Sequence, residues 1–185
     1  MPETALAVTP RLSVTLPREY PLVLLMIMLF ALLLFSTSFF ATRGKYFTKD
    51  ILGKFEQEHK DGNCADNTIG FPDSGEGRYS QALSYKNWHE YMSSVRASAN
   101  FQENFPTVVG ILAIGGLYMP VTGAAVGLLQ VIGRIMYFRG YIKGGPGGRL
   151  MGATIAHVSL WLYLFVSFGA AIAAMFIWKP IDPVM

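Results

Sequence analysis

The chain of 185 residues holds a single cysteine, Cys64. No disulfide can form within it, and nothing in its thiol content reports an oxidising compartment. Cys64 lies in a polar stretch with no base that can be set beside it, so an exposed thiol is expected rather than a nucleophile. Charge is scarce at 15% of residues, and the formal net charge is only +3. With no basic run interleaved with aromatics, nucleic acid is excluded as a partner. Histidine numbers three. His59 and His89 have no spacing that suggests zinc, and His157 sits in an apolar run with no ligand partner one helical turn away. A metal is not called for, and His157 reads as a hydrogen-bonded core residue. The glycine-rich segment Gly144-Gly145-Pro146-Gly147-Gly148 lacks the Lys-Ser/Thr of a phosphate loop and reads as a flexible connection. No internal repeat suggests a transporter. Residues 1–19 make no signal peptide: the apolar run after them is too long, and no small-residue cleavage site follows.

Apolar side chains, by contrast, are abundant. Hydrophobic residues make up 52% of the chain and the mean hydropathy is +0.36. A soluble domain this short could not bury so much apolar surface, and a bilayer can. The chain divides into an N-terminal tail (1–19), one membrane domain (20–178) and a C-terminal tail (179–185). Four spans are predicted, at about 20–42, 87–118, 121–141 and 150–178. At about 1.5 Å rise per residue each can cross a hydrocarbon core of roughly 30 Å. The fold class is therefore an all-α membrane protein, a four-helix transmembrane bundle. Tyr20 and Trp178 suit interfacial anchors. Pro106 falls inside the second span and should kink it. Pro120 with Thr122-Gly123 predicts a tight turn. The polar stretch 44–85 reads as a long loop, with a short helix around Lys49 to His59. A tolerated insertion is the favoured reading of that loop, over a docking surface.

Four spans put both termini on one side. Arg43, Lys45, Lys49, Lys54, Arg139, Lys143 and Arg149 then flank the membrane on the loop side, against Arg11, Arg18 and Lys179 on the other. The positive-inside rule places the loops between spans 1 and 2 and between spans 3 and 4 in the cytosol.

Two charge groups sit where charge is expensive. Arg96, Asn100 and Glu103 share one helical face, and so do Arg134, Tyr137 and Tyr141. An ionised group inside a span costs at least ~2.5 kcal/mol and must face protein or water. A Glu103–Arg134 ion pair between antiparallel helices is expected whatever the function. The remaining residues make the cluster larger than one pair needs. With Arg43 and Arg149 at neighbouring span ends, the set describes a guanidinium-rich pocket for a small polyanion.

The stretch 96–106, Arg-Ala-Ser-Ala-Asn-Phe-Gln-Glu-Asn-Phe-Pro, resembles the signature of the membrane-associated proteins in eicosanoid and glutathione metabolism (MAPEG). The stretch 133–141, Gly-Arg-Ile-Met-Tyr-Phe-Arg-Gly-Tyr, is similar to that family's third-helix segment. Residues 145–149, 18–20 and 43–46 resemble its third microsomal glutathione transferase branch in particular. Ser98 stands where Gln or His is usual. Asn104 replaces the aromatic of the leukotriene-forming branch, as it does in the first microsomal transferase. The resemblance implies a homotrimer with glutathione between subunits, open to the cytosol. It implies that Arg43, Arg96, Asn100, Glu103, Arg134, Tyr137 and Tyr141 hold glutathione and that Arg149 faces its sulfur as the catalytic residue. The expected function is glutathione transfer to lipophilic electrophiles, or glutathione-dependent reduction of lipid hydroperoxides, with the apolar co-substrate arriving from the bilayer. The expected site is the endoplasmic reticulum or the mitochondrial outer membrane. The alternative is a non-catalytic scaffold, a lipid-binding protein or an accessory subunit of a larger membrane complex that kept the fold.

Overall fold

A computed structural model describes residues 16–39, 43–62 and 73–177. The described residues form eight helices: α1 (Tyr20–Phe39), α2 (Arg43–Tyr46), α3 (Lys49–Gly53), α4 (Glu56–Asp61), α5 (Arg78–Gln81), α6 (Tyr85–Gly116), α7 (Pro120–Gly148) and α8 (Leu150–Ile177). The four long ones, α1, α6, α7 and α8, pack as a bundle. Three segments are long and apolar enough to cross a membrane: Tyr20–Thr37, Pro120–Gly148 and Leu150–Phe176. Helix α6 has the length, but Lys86, Glu90 and Arg96 make its N-terminal half polar. Thr42, Cys64 and Trp178 lie outside the described residues, as does the side chain of Arg43.

The bundle is inside-out by the standards of a soluble protein. Helices α1 and α8 turn Met28, Phe35, Phe165 and Phe176 outward, with Phe176 86% exposed. Such faces are stable against acyl chains and not against water. The interior is a seam of aromatic and branched residues. Phe101, Phe105, Val108 and Leu112 recur on one face of α6 and meet Val23 and Phe30 of α1. The Phe30 ring stands 4.8 Å from that of Phe101 and 5.6 Å from that of Phe105. Gln130, 1% exposed, donates from Nε2 to the Ala156 carbonyl at 2.6 Å and so pins α7 to α8.

Several boundaries differ from the sequence expectation, each for a local reason. Helix α6 begins at Tyr85 because Ser84 caps it, its Oγ accepting from Asn87 N at 3.4 Å. It runs unbroken through Pro106. Thr122 and Gly123 belong to the first turn of α7; the actual turn is the stretch before Pro120, which fills the first helical position, where no N–H is needed. Tyr20 is not an outward anchor. It is 9% exposed and its hydroxyl donates to the Ala113 carbonyl at 3.1 Å, near the C-terminal end of α6. Helical bonding in α7 continues to Gly148 and is interrupted at Gly145, whose φ of 60° and ψ of −149° suit only glycine.

The described part of the 44–85 stretch is folded into a cap on the start of α6. In place of one helix around Lys49 to His59 there are two short ones, α3 and α4. Tyr46, Phe47 and Tyr79 pack on Tyr91 of α6 in a second core, with the Phe47 ring 4.9 Å from Tyr91 and nearly perpendicular to it. The turn before α5 is built on one carboxylate. Asp73 Oδ1 accepts from Gly75 N (2.8 Å), Gly77 N (3.0 Å) and Ser80 Oγ (2.6 Å), and Oδ2 accepts from Ser80 N (2.7 Å). Burial pushes the Asp73 carboxyl up, but these hydrogen bonds outweigh it and hold the group below its ordinary value. Two bonds from α6 fasten this turn: Tyr91 Oη donates to the Asp73 carbonyl at 2.8 Å, and Trp88 Nε1 to the Gly75 carbonyl at 2.9 Å.

Candidate functional site

The cationic cluster lies where α6, α7 and α8 meet beneath the cap. Its placement depends on a close helix crossing. A Cβ on Gly152 of α8 would land on the backbone N of Tyr137 and stand 2.5 Å from the Gly133 carbonyl oxygen. Only glycine lets α8 approach α7 so nearly. That crossing brings Arg149, at the start of α8, against the tyrosines of α7.

The contacts run in a chain. Arg134, 3% exposed, donates from Nη1 to Asn100 Oδ1 at 2.8 Å. Its guanidinium lies 5.4 Å from the Phe101 ring centre and 5.6 Å from that of Tyr137. Tyr137 accepts at its hydroxyl from Arg149 Nη1 at 3.2 Å. The Arg149 guanidinium stands 5.3 Å from the ring centre of Tyr141, whose ring is 5.8 Å from that of Tyr137. Asn104 Nδ2 donates to the Asn100 carbonyl at 2.8 Å. Arg96 is exposed one turn before Asn100 and shares a pocket of about 400 Å³ with Tyr141.

One expected contact is absent from this arrangement. The Glu103–Arg134 ion pair does not form: Arg134 turns to Asn100, and Glu103 is exposed. The reason is rotation about α6. Arg134 enters on the side of Phe101, whose ring it covers, and Glu103 faces away from that side. Ser98 is buried toward α1, its Oγ donating to the Thr37 carbonyl at 3.5 Å, and so does not face the cluster. Arg43 cannot be placed, because its side chain lies outside the described residues.

The electrostatics of the cluster follow from what Arg134 lacks. Among the described residues it has no carboxylate partner, and its Nε is buried with no hydrogen-bond partner at all. A buried cation is tolerated when a counter-charge or a full set of acceptors compensates it. Here one amide oxygen and two ring faces do part of that work, leaving cationic hydrogen-bonding capacity beside Arg149. The arrangement suits an anion rather than a cation.

Sequence reading overlooked two contributors. Phe101 lies inside the 96–106 stretch, but nothing in its spacing marks it as a platform for an arginine on another helix. Glu76, in the cap, lines the same pocket as Arg96; no periodicity could have linked it to a residue twenty positions on. The model of a protein family described as the MAPEG family matches residues 19–169, which reaches from the residue before α1 into α8.

Proposed function

Because the chain belongs to the MAPEG family, we propose that it is a membrane-bound glutathione transferase or glutathione-dependent peroxidase acting on lipophilic electrophiles or lipid hydroperoxides. The family includes glutathione-dependent enzymes, which act as membrane-embedded oligomers, and non-enzymatic members. One observation carries the enzymatic reading: a buried Arg134 without a carboxylate partner among the described residues, joined through Tyr137 to Arg149. Glutathione carries two carboxylates, and guanidinium forks match them. In this reading Arg96, Asn100, Arg134, Tyr137 and Tyr141 hold the tripeptide, with Glu103 and Arg43 completing the site from a neighbouring subunit of a homotrimer. Helix α6 is the fourth membrane crossing, the cap lies in the cytosol, and the host membrane is that of the endoplasmic reticulum or the mitochondrial outer surface.

Arg149 is the catalytic residue of this proposal. A free thiol titrates near ~8.5, and an adjacent guanidinium favours the thiolate. The Arg149 carbonyl accepts from Ala153 N at 2.9 Å, so the residue opens α8, and the helix N-terminus adds partial positive charge of the same effect. The thiolate sulfur then has two courses. It attacks an electrophilic carbon, forming a C–S bond as the leaving group departs. Or it attacks a hydroperoxide oxygen, breaking the O–O bond to release an alcohol; a second glutathione resolves the sulfenic product to disulfide and water. The apolar co-substrate reaches the sulfur sideways from the bilayer.

The test is glutathione turnover by the detergent-purified protein with a lipid hydroperoxide and with a reactive aryl halide, beside Arg149→Ala. Each unit by which the thiol pKa rises removes about tenfold of the thiolate at neutral pH, so the variant should lose at least about tenfold in rate. An equal rate in the variant sinks the thiolate role. No turnover by the intact protein moves the reading to a scaffold that kept the fold.

A further inference from the structure

The pocket of about 400 Å³ above the cluster joins three parts of the chain: Glu76 from the cap, Trp88, His89 and Arg96 from α6, and Tyr141 from α7. Its charges are opposite and unspent. Among the described residues neither the Glu76 carboxylate nor the Arg96 guanidinium takes part in an ion pair or hydrogen bond, with each other or with another group. Glu76 is nonetheless held firmly by its neighbours in sequence. Asp73 anchors the N–H groups of Gly75 and Gly77 on either side of it, and Trp88 fastens the Gly75 carbonyl. An exposed carboxylate is thus presented on a fixed turn, across a pocket from an exposed guanidinium, with aromatic walls between them. Such a pair is complementary to a ligand that carries an ammonium beside a carboxylate.

The pocket adjoins the cluster below. Arg96 lies one turn, about 6 Å, from Asn100 along α6, and Tyr141 faces both the pocket and Arg149. A tripeptide spans roughly 10 Å extended, enough to keep its sulfur at Arg149 while its amino-acid end enters the pocket. We propose that Glu76 is a specificity residue that reads the α-ammonium of the γ-glutamyl end of glutathione, while Arg96 takes the adjoining α-carboxylate. This rests on the glutathione reading above and extends it to a residue of the cap. The cap is then part of the substrate site, and its folded turn serves to aim one carboxylate.

The probe pair is glutathione and its deaminated analogue, in which a glutaryl group replaces the γ-glutamyl group. Their KM values are to be measured on the full-length protein, on Glu76→Gln and on Glu76→Asp. Wild type should prefer glutathione by about fivefold, the scale of a partly solvated charge pair. Glu76→Gln should lower that ratio measurably, and Glu76→Asp should restore part of it. A merely structural role for Glu76 would weaken both ligands alike and leave the ratio intact. An unchanged ratio in Glu76→Gln overturns the proposal while leaving the enzyme reading in place. Failure of the wild type to bind or turn over either thiol overturns both.

Discussion

The cap and the cluster beneath it treat charge in opposite ways. In the cap and at the polar start of α6, several acidic groups are matched within the chain: Asp73 accepts four hydrogen bonds, Glu58 pairs with Arg78, and Glu90 of α6 meets both Tyr46 Oη (2.7 Å) and Lys45 Nζ (3.2 Å). In the cluster, among the described residues, the buried Arg134 bonds one amide and Arg149 one phenol. Around Asp73, Glu58 and Glu90 the polar part of the molecule matches its charges internally, whereas the buried Arg134 has no carboxylate partner among the described residues. Charge that stabilised only the fold would be arranged the other way, because an unmatched ion costs most where water is excluded. The imbalance supports the proposal that the cluster is a ligand site.

Three measurements would break or sharpen that contrast, beyond the two tests already given. The largest effect belongs to the helix crossing on which the cluster depends. Gly152→Ala forces a methyl into the α7 backbone at Tyr137 and Gly133, so α8 must shift. A loss of about 3 kcal/mol in unfolding stability is expected, with glutathione turnover lost alongside it. Normal stability and rate in this variant would show that the crossing is looser than described. The second concerns Arg134. Arg134→Met removes an incompletely compensated buried cation, so the ligand-free protein should unfold no more readily than wild type. Its glutathione affinity should fall about 100-fold, as for a desolvated charge contact. If instead the variant unfolds early while binding normally, Arg134 is structural and the contrast with the cap fails.

The smallest effect is confined to the cap. Asp73→Asn leaves one acceptor oxygen for donors that now meet both carboxylate oxygens, and should loosen the turn by about 2 kcal/mol. Hydrogen exchange over residues 73–91 reads this directly. The same bonds predict a pH dependence. The Asp73 carboxyl is held below its ordinary value of 3.8, so its contribution is fully present above that value and is lost as pH falls through the lower folded one. Protection in this segment, taken relative to the intrinsic exchange rate at each pH, should therefore fall in wild type on acidification below 3.8 and stay flat in Asp73→Asn. Equal acid sensitivity in the two would assign the effect to another group.

Much of the bundle was legible in the residues. The apolar pattern and its breaks placed the start of each long helix within two positions, since a backbone surrounded by hydrocarbon must satisfy its own hydrogen bonds. The spacing of Arg96 with Asn100, and of Arg134 with Tyr137 and Tyr141, marked the faces that meet. Spacing did not say which acceptor Arg134 would choose. Asn100 and Glu103 are both within a turn of each other on α6, and the choice depended on how far that helix rotates against α7, which Phe101 and Phe30 decide by packing. The cap was the least legible part. Its four short helices have no sustained periodicity, and its central device, Asp73 gathering Gly75, Gly77 and Ser80, is a loop conformation that leaves no regular trace in sequence.

Composition alone determined that this chain is a membrane protein of long helices, because 52% hydrophobic residues in so short a chain have no other place to go. The order of its apolar runs and its buried charges determined which helix ends carry the polar chemistry. Tertiary structure alone decided that Arg134 turns to the Asn100 amide rather than to Glu103, that Gly152 brings Arg149 onto Tyr137, and that Glu76 shares one pocket with Arg96. These are relations between residues distant along the chain. They depend on helix rotation, on crossing distance and on the path of an irregular loop, and local sequence constrains none of those three.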